Sequence, residues 1–215
     1  MKPVPLTDQQ FAELLVLSYE PRGLEFKGAR PRTDRLFFAR VVRACLGMAN
    51  LRDGGRVIIG VDERGGVLDP VGLSDADLAT WRYDDIAAGL ATYADPMITF
   101  DIYVHEYQGR RFVELEVHEF DELPILCRTT YMERPPTQQV ILREGACYVR
   151  RRGKPETSEI PTQSEMRELL DLAIEKGVRR FIARARAVGL VLGTGEPVRD
   201  AEQFAEQLRE LETPE

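Results

Sequence analysis

The sequence predicts an α+β fold: a mixed or antiparallel sheet flanked by helices, with a C-terminal helical tail. Three observations carry this. Ile98, Phe100, Ile102 and Val104 alternate with polar residues, Gln108-Gly109 turn, and Val113, Leu115 and Val117 alternate back, as in a β-hairpin. Two capping boxes, at Thr7 to Gln10 and Thr162 to Glu165, open helices near the two ends. Between them, Ala44 to Gly66 reads as an apolar helix ending at Asn50, a Gly54-Gly55 turn, and a buried strand over Arg56 to Val61.

Taken in order, helix 1 starts after Thr7 and shows helical spacing at Phe11, Leu14, Leu15 and Leu17, so it is expected to reach about Tyr19. Pro21 pushes Glu20 out of helical angles. Leu24 to Lys27 alternates apolar with charged residues, as a half-buried strand does, and Ala29 to Thr33 is a basic proline loop. Asp34 caps helix 2, whose apolar face is Leu36, Phe37, Val41, Ala44, Cys45 and Met48. The central strand delivers Asp62 and Glu63 at its exit, and Gly65-Gly66 reverse the chain into Val67-Leu68. Ser74 caps a short helix over Asp75 to Trp81, and Asp84 to Tyr93 forms another that stops at Asp95-Pro96. After the hairpin, strands are expected over Leu123 to Cys127, Gln139 to Leu142 and Ala146 to Arg150, followed by an exposed basic loop, Arg151 to Lys154. The helix from Thr162 is expected to end near Lys176, with Gly177 as punctuation. Two amphipathic helices, Val178 to Val188 and Asp200 to Leu211, then flank a glycine-rich break. The expected organisation is a body over 1–176 and a helical extension over 177–215.

At 215 residues, 43% apolar and 30% charged, the chain has room for one good core and is not a disordered composition. No apolar run approaches the roughly 20 residues that span a bilayer, and the N-terminus lacks an apolar secretory core. Three cysteines without metal-ligand spacing suggest buried reduced thiols in a cytoplasmic protein. A net charge of -7 argues against a uniformly basic nucleic-acid binder. The basic residues are nonetheless segregated. Arg22 to Arg43 holds seven against Glu25 and Asp34, Arg143 to Lys154 holds five against Glu144, and Lys176 to Arg186 holds five with no acid. Such clustering permits a basic face on an acidic protein, as it permits ordinary solvated faces.

Glu20 and Glu25 flank the first turn-to-strand junction and Asp62 leaves the central strand. If the two strands are neighbours, three carboxylates converge at one rim, the donor set of a hard cation such as Mg²⁺ or Mn²⁺. Lys27 shares a strand face with Glu25, placed to stabilise charge developing on phosphorus. The same acids would serve equally as rim or salt-bridge residues. Arg150, Arg151, Arg152 and Lys154, with Arg30 and Arg32 of the proline loop, are the candidate phosphate contacts. Tyr148 and Phe112 could stack on bases or fill the sheet. His105 and His118 do not face each other across the hairpin, no serine has a nucleophile-elbow context, and P-loop and dinucleotide fingerprints are absent.

Glu20 to Lys27 (Glu-x4-Glu-Phe-Lys), Ala49-Asn50 with Gly54-Gly55, Ile58 to Asp62, and Tyr148 to Arg151 together resemble the Schlafen AlbA_2 domain over roughly Glu20 to Leu170. The resemblance implies an α+β fold that binds nucleic acid. In nuclease-active Schlafens it implies metal-dependent cleavage of tRNA and rRNA by three carboxylates, which fall by position on Glu20, Glu25 and Asp62. Two features depart from the pattern: Gly47-Met48-Ala49-Asn50 replaces the usual Ala-Phe-Ala-Asn, and the chain has one lobe where vertebrate domains join two. A homodimer, with the helical tail as its contact, would restore a two-lobed groove. The ATP-binding label of many bacterial relatives has no support in these residues. The expectation is a Mg²⁺- or Mn²⁺-dependent endoribonuclease acting on structured RNA such as tRNA, in phage defence or a stress response. Two alternatives stand beside it: a non-catalytic DNA- or RNA-binding module, and an interaction subunit of a larger complex.

Overall fold

In a computed structural model, residues 5–17, 19–154 and 156–190 are described. The order is α1 (Asp8–Leu15), β1 (Leu24–Lys27), α2 (Arg35–Ala49), β2 (Gly55–Ile59), β3 (Asp62–Arg64), β4 (Val67–Asp69), α3 (Asp75–Leu78) and α4 (Tyr83–Tyr93). There follow β5 (Ala94–Asp95), β6 (Phe100–Tyr107), β7 (Arg110–Val117), β8 (Leu126–Cys127), β9 (Tyr131–Met132), β10 (Val140–Leu142), β11 (Tyr148–Arg150), β12 (Thr157–Glu159) and α5 (Gln163–Ala187). The chain divides into two compact units, 1–175 and 176–215.

The sheet is mixed, in the order β1-β2-β7-β6. β1 runs parallel to β2, with Glu25 beside Val57, whereas β2–β7 and β7–β6 are antiparallel. The expected hairpin is β6–β7, and Gln108 (φ 52°) and Gly109 (φ 71°) supply the two left-handed residues of its turn. Alternation gives the sheet two differently filled faces. Val57, Ile59, Val113, Leu115 and Val117 point to α2 and the main core, while Leu24, Phe26, Ile58 and Phe112 point to Phe11 and Leu15 of α1.

Asp34 caps α2 through Phe37 N–H at 3.0 Å, and eleven of the fifteen residues of α2 are buried because β11 and β12 cover the side away from the sheet. Gly47 permits that approach: a Cβ there would lie 2.6 Å from Thr157 Cγ2. Asn50 secures the exit of α2, donating to Ile125 O (2.8 Å) and Tyr148 O (2.9 Å) and accepting from Ile125 N (2.8 Å).

Several boundaries differ from expectation, α3, β8 and β11 being shorter than expected, and three have a clear cause. α1 stops at Leu15, short of Tyr19, because Pro21 and the turn into β1 need extended chain. The central strand ends at Ile59, because Gly60 adopts φ 116° at a place where a Cβ would lie 2.8 Å from the Phe112 ring, and the chain re-enters as the β3–β4 hairpin. α5 passes through Gly177 without a break. One helical glycine costs only about 1 kcal/mol, and the stop comes at Gly189 (φ 77°), where Leu190 N bonds Ala185 O and Gly189 N bonds Arg186 O. The expected helix over Asp200 to Leu211 lies outside the described residues. Among the described residues no helix is long and apolar enough to cross a membrane. All three cysteines are free, and burial pushes the Cys45 thiol up to about 12 and Cys147 to about 11, so neither is a ready nucleophile.

Candidate nucleic-acid interface

β1 is an edge strand, and side chains from elsewhere clothe its free edge. Glu20 Oε1 accepts Phe26 N–H at 2.6 Å. Arg150 donates to Leu24 O and Arg22 O, both at 2.9 Å. These contacts hold the Glu20-to-Lys27 motif in one shape.

On the α2 side of β1, Glu25 is 10% exposed at its side chain and fully engaged. Its Oε2 accepts from Arg150 Nη1 (2.6 Å) and Thr157 Oγ1 (3.2 Å), and its Oε1 pairs with Lys27 Nζ. Buried charge of this kind persists only when paired and hydrogen-bonded. A hollow of about 430 Å³ opens beside it, lined by Glu20, Glu25, Lys27, Glu63, Glu156 and Thr157 with Arg40 and Arg43 of α2. Arg43 donates Nη2 to Thr157 O (2.7 Å), and its Nε is buried with no hydrogen-bond partner among the described residues. Glu20 also lines a second hollow of about 240 Å³, formed with Arg22, Arg151, Arg152 and Lys154. It therefore stands between two groups of cations. Burial raises the Glu20 carboxyl above its ordinary value. The Phe26 N–H bond opposes that shift, and the neighbouring Glu25 charge adds to it.

The remaining candidates separate. Asp62 is not in the lining of either hollow: its Oδ1 accepts Ala29 N–H at 3.1 Å and lies against Gly28. Arg150, expected in an exposed clamp, has a side chain 0% exposed and ties β11 to β1. In the β11 ladder its side chain points inward, where it meets the Glu25 oxygen that Lys27 does not engage. Arg151 lies 3.9 Å from Glu156, Arg152 donates to Glu168 (3.0 Å), and Lys154 is exposed. Arg30 is exposed beside Asp34, and Arg32 stacks on Phe38 and donates to Asp85 O of α4, and neither lines the hollows. Tyr148 and Phe112 are buried, Tyr148 taking Arg143 N–H on its hydroxyl.

Among the described residues no three His, Cys, Asp or Glu side chains are arranged to hold a metal ion. With both Glu25 oxygens occupied and Asp62 committed to an amide, Glu20, Glu25 and Asp62 do not form a ready three-carboxylate site. Arg40, Arg43, Glu63, Glu156 and Thr157 were not foreseen as site residues. The signal for Arg43 was present, since a cation on the apolar stripe of a helix needs a polar neighbour, but Thr157 lies 114 residues away.

Curated proteins yield no match. Two solved structures are similar at low level. One is the DIP2311 protein of Corynebacterium diphtheriae, with 17% identity and TM-score 0.41 over 65% of this chain, which spans 22% of that protein. The other is the N-terminal domain of a RecG-related protein of Nitrosomonas europaea, with 23% identity and TM-score 0.42 over 62% of this chain and 84% of the domain. Neither likeness is strong enough to bear on the site. The family profile described as Schlafen, AlbA_2 matches residues 20–158, from the carboxylate at the junction of the two hollows to the strand carrying Thr157. That match covers well over half of the sequence, and the chain belongs to the Schlafen AlbA_2 family.

Proposed function

We propose that the chain binds the phosphodiester backbone of nucleic acid along the track formed by the two hollows beside β1. One observation carries the reading: Glu20 joins a hollow carrying Lys27, Arg40 and Arg43 to one carrying Arg22, Arg151, Arg152 and Lys154. Cations spaced on both sides of a groove suit successive phosphates, and Arg40 is an exposed guanidinium at the first hollow. RNA is favoured over DNA by the family alone. The test is fluorescence anisotropy with a labelled tRNA and a DNA of equal length, across a salt series. Binding that weakens steeply with salt, and that Arg40→Ala and Lys154→Ala each weaken, supports the reading. Salt-independent binding, or none, ends it.

A second reading adds cleavage of the bound RNA with Mg²⁺ or Mn²⁺, in phage defence or stress. It is favoured by Glu20, whose raised pKa and position beside Glu25 and Lys27 suit proton transfer at a bound phosphate. In this reading Glu20, Glu25 and Asp62 would hold the cation, as the family resemblance implies. Cutting that needs the metal and disappears in Glu20→Gln and Glu25→Gln, while binding persists, supports cleavage. Intact RNA under Mg²⁺, Mn²⁺ and EDTA alike leaves a binding module.

A further inference from the structure

A third hollow, of about 540 Å³, lies outside the two that form the track. It opens between the first turn of α2 and the β9–β10 hairpin, and its walls include Arg35, Leu36, Tyr131, Glu133, Arg134 and Pro136. Its size is that of a small-ligand site, about 300–1,000 Å³. The hairpin shapes it. Met132 pairs with Val140, and Glu133 N donates to Gln139 O at 2.8 Å, which closes the loop over 134–138. Tyr131 is half-buried and packs T-shaped against Tyr93 with ring centroids 6.4 Å apart, so the wall carries an aromatic side chain held in place by its neighbour.

Two features tie this hollow to the track. Gln139 and Ile141, at the other end of the same hairpin, line the hollow beside Glu25, so one hairpin walls both spaces. Leu36 lines the third hollow and Arg40 the first, one turn of α2 apart, or about 6 Å along its axis at 1.5 Å per residue. The charges here are uncommitted. Arg35 and Arg134 are exposed, and among the described residues neither they nor Glu133 enter an ion pair. Asp34, by contrast, caps the Phe37 amide and lies 3.8 Å from Arg30. An aromatic wall, two cations and one acceptor-only group are the parts that hold an unstacked base. The ring takes its face, the cations its flanking phosphates, and the carboxylate its N–H edge. A carboxylate can accept from two adjacent donors at once, which guanine presents at N1 and N2 and uracil does not.

We propose that the third hollow takes one unstacked base of the strand bound along the track, guanine in preference to uracil. The base stacks on Tyr131, its N–H edge meets Glu133, and Arg35 and Arg134 hold the phosphates on either side. This rests on backbone binding along the track, which supplies affinity common to all sequences, whereas the hollow supplies the difference between them.

The experiment is fluorescence anisotropy of the full chain with a short labelled oligouridylate, with and without one central guanosine, across a salt series. The wild type is expected to bind the guanosine-containing strand about fivefold more tightly, or better. Glu133→Ala should abolish that difference. Tyr131→Leu, which keeps an apolar neighbour for Tyr93, should weaken the guanosine-containing strand about fivefold. Arg40→Ala should weaken both strands alike. Each variant is checked for unchanged circular dichroism. Equal, salt-dependent binding of both strands by the wild type overturns the base site and leaves the track standing. A guanosine preference that survives both Glu133→Ala and Tyr131→Leu does the same, because the base is then read elsewhere. Binding of neither strand overturns the base site and the track together.

Discussion

Two carboxylates are buried on opposite faces of the same sheet, and they differ in what lies next to them. Glu25, on the α2 side, is held by Arg150, Lys27 and Thr157. Glu114, on the α1 side, is 0% exposed and held by Arg56 Nε at 2.7 Å and His105 Nε2 at 2.5 Å. Both are acids neutralised by close cations. Phe11 stacks on His105 with ring centroids 4.2 Å apart and covers one network, whereas the other opens onto a hollow carrying Arg40 and Arg43. A buried ion pair by itself is weak evidence for function, because folding alone can require it. What marks the Glu25 side is accessible charge that the fold has not consumed.

That comparison fails first if removing a partner does not expose a cost. Arg150→Met leaves Glu25 buried with Lys27 as its one remaining cation and frees the edge of β1. The expected loss is about 3–5 kcal/mol, read from urea midpoints. If that variant is as stable as wild type, Arg150 is not the tie that the geometry makes it. Glu114→Gln keeps shape and hydrogen-bonding capacity but removes the charge facing Arg56 and His105, leaving Arg56 only its pair with Glu116, for a loss of about 1–2 kcal/mol. It should leave RNA binding unchanged, which is the sharper half of the test, because a covered network has no route to the ligand. On the open side, Arg40→Ala should leave stability within about 0.5 kcal/mol. It should weaken RNA binding and lower the salt slope by about one, as loss of one phosphate contact does.

The smallest effect belongs to Glu20. Its folded pKa is raised, so the folded state holds more protons than the unfolded one between the ordinary glutamate value and the shifted one. Stability from this group is present below the unfolded pKa and is lost as pH rises through the folded pKa. Glu20→Gln can still accept Phe26 N–H, and it should melt slightly higher than wild type at neutral pH, with the difference vanishing in acid. It should also bind RNA more tightly at neutral pH, since a negative charge leaves the track. A lower melting temperature at pH 7 would show that the carboxylate is a net structural asset.

Much of the frame was legible in the chain. The alternation over Ile98 to Val117 with Gln108-Gly109 specified the β6–β7 hairpin, and Asp34 specified the start of α2, because strand pleat and helix capping are local effects. The adjacency of the first strand and the central strand was readable only as a condition, which the parallel β1–β2 pair meets. Roles within the site were less legible. Arg150 and Arg152 look alike in Arg150-Arg151-Arg152, yet one is buried against Glu25 and the other is exposed beside Glu168. Alternation would put both on one face; they differ because β11 ends at Arg150 and Arg152 lies beyond it, and only the partner across the fold tells that the Arg150 side faces inward. Asp62 likewise reads as a rim acid until Ala29 N–H is found 33 residues away to claim it.

Most helices and the long hairpin, with their caps and turns, follow from residues within a few positions of one another, and the family follows from four such segments taken in order; β5, β9 and β12 do not. The tertiary structure decided which charges are spent and which remain. Two of the three partners of Glu25, Arg150 and Thr157, are more than 120 residues distant. Whether a charge is satisfied depends on distance in space and on exclusion of water, and spacing along the chain encodes neither.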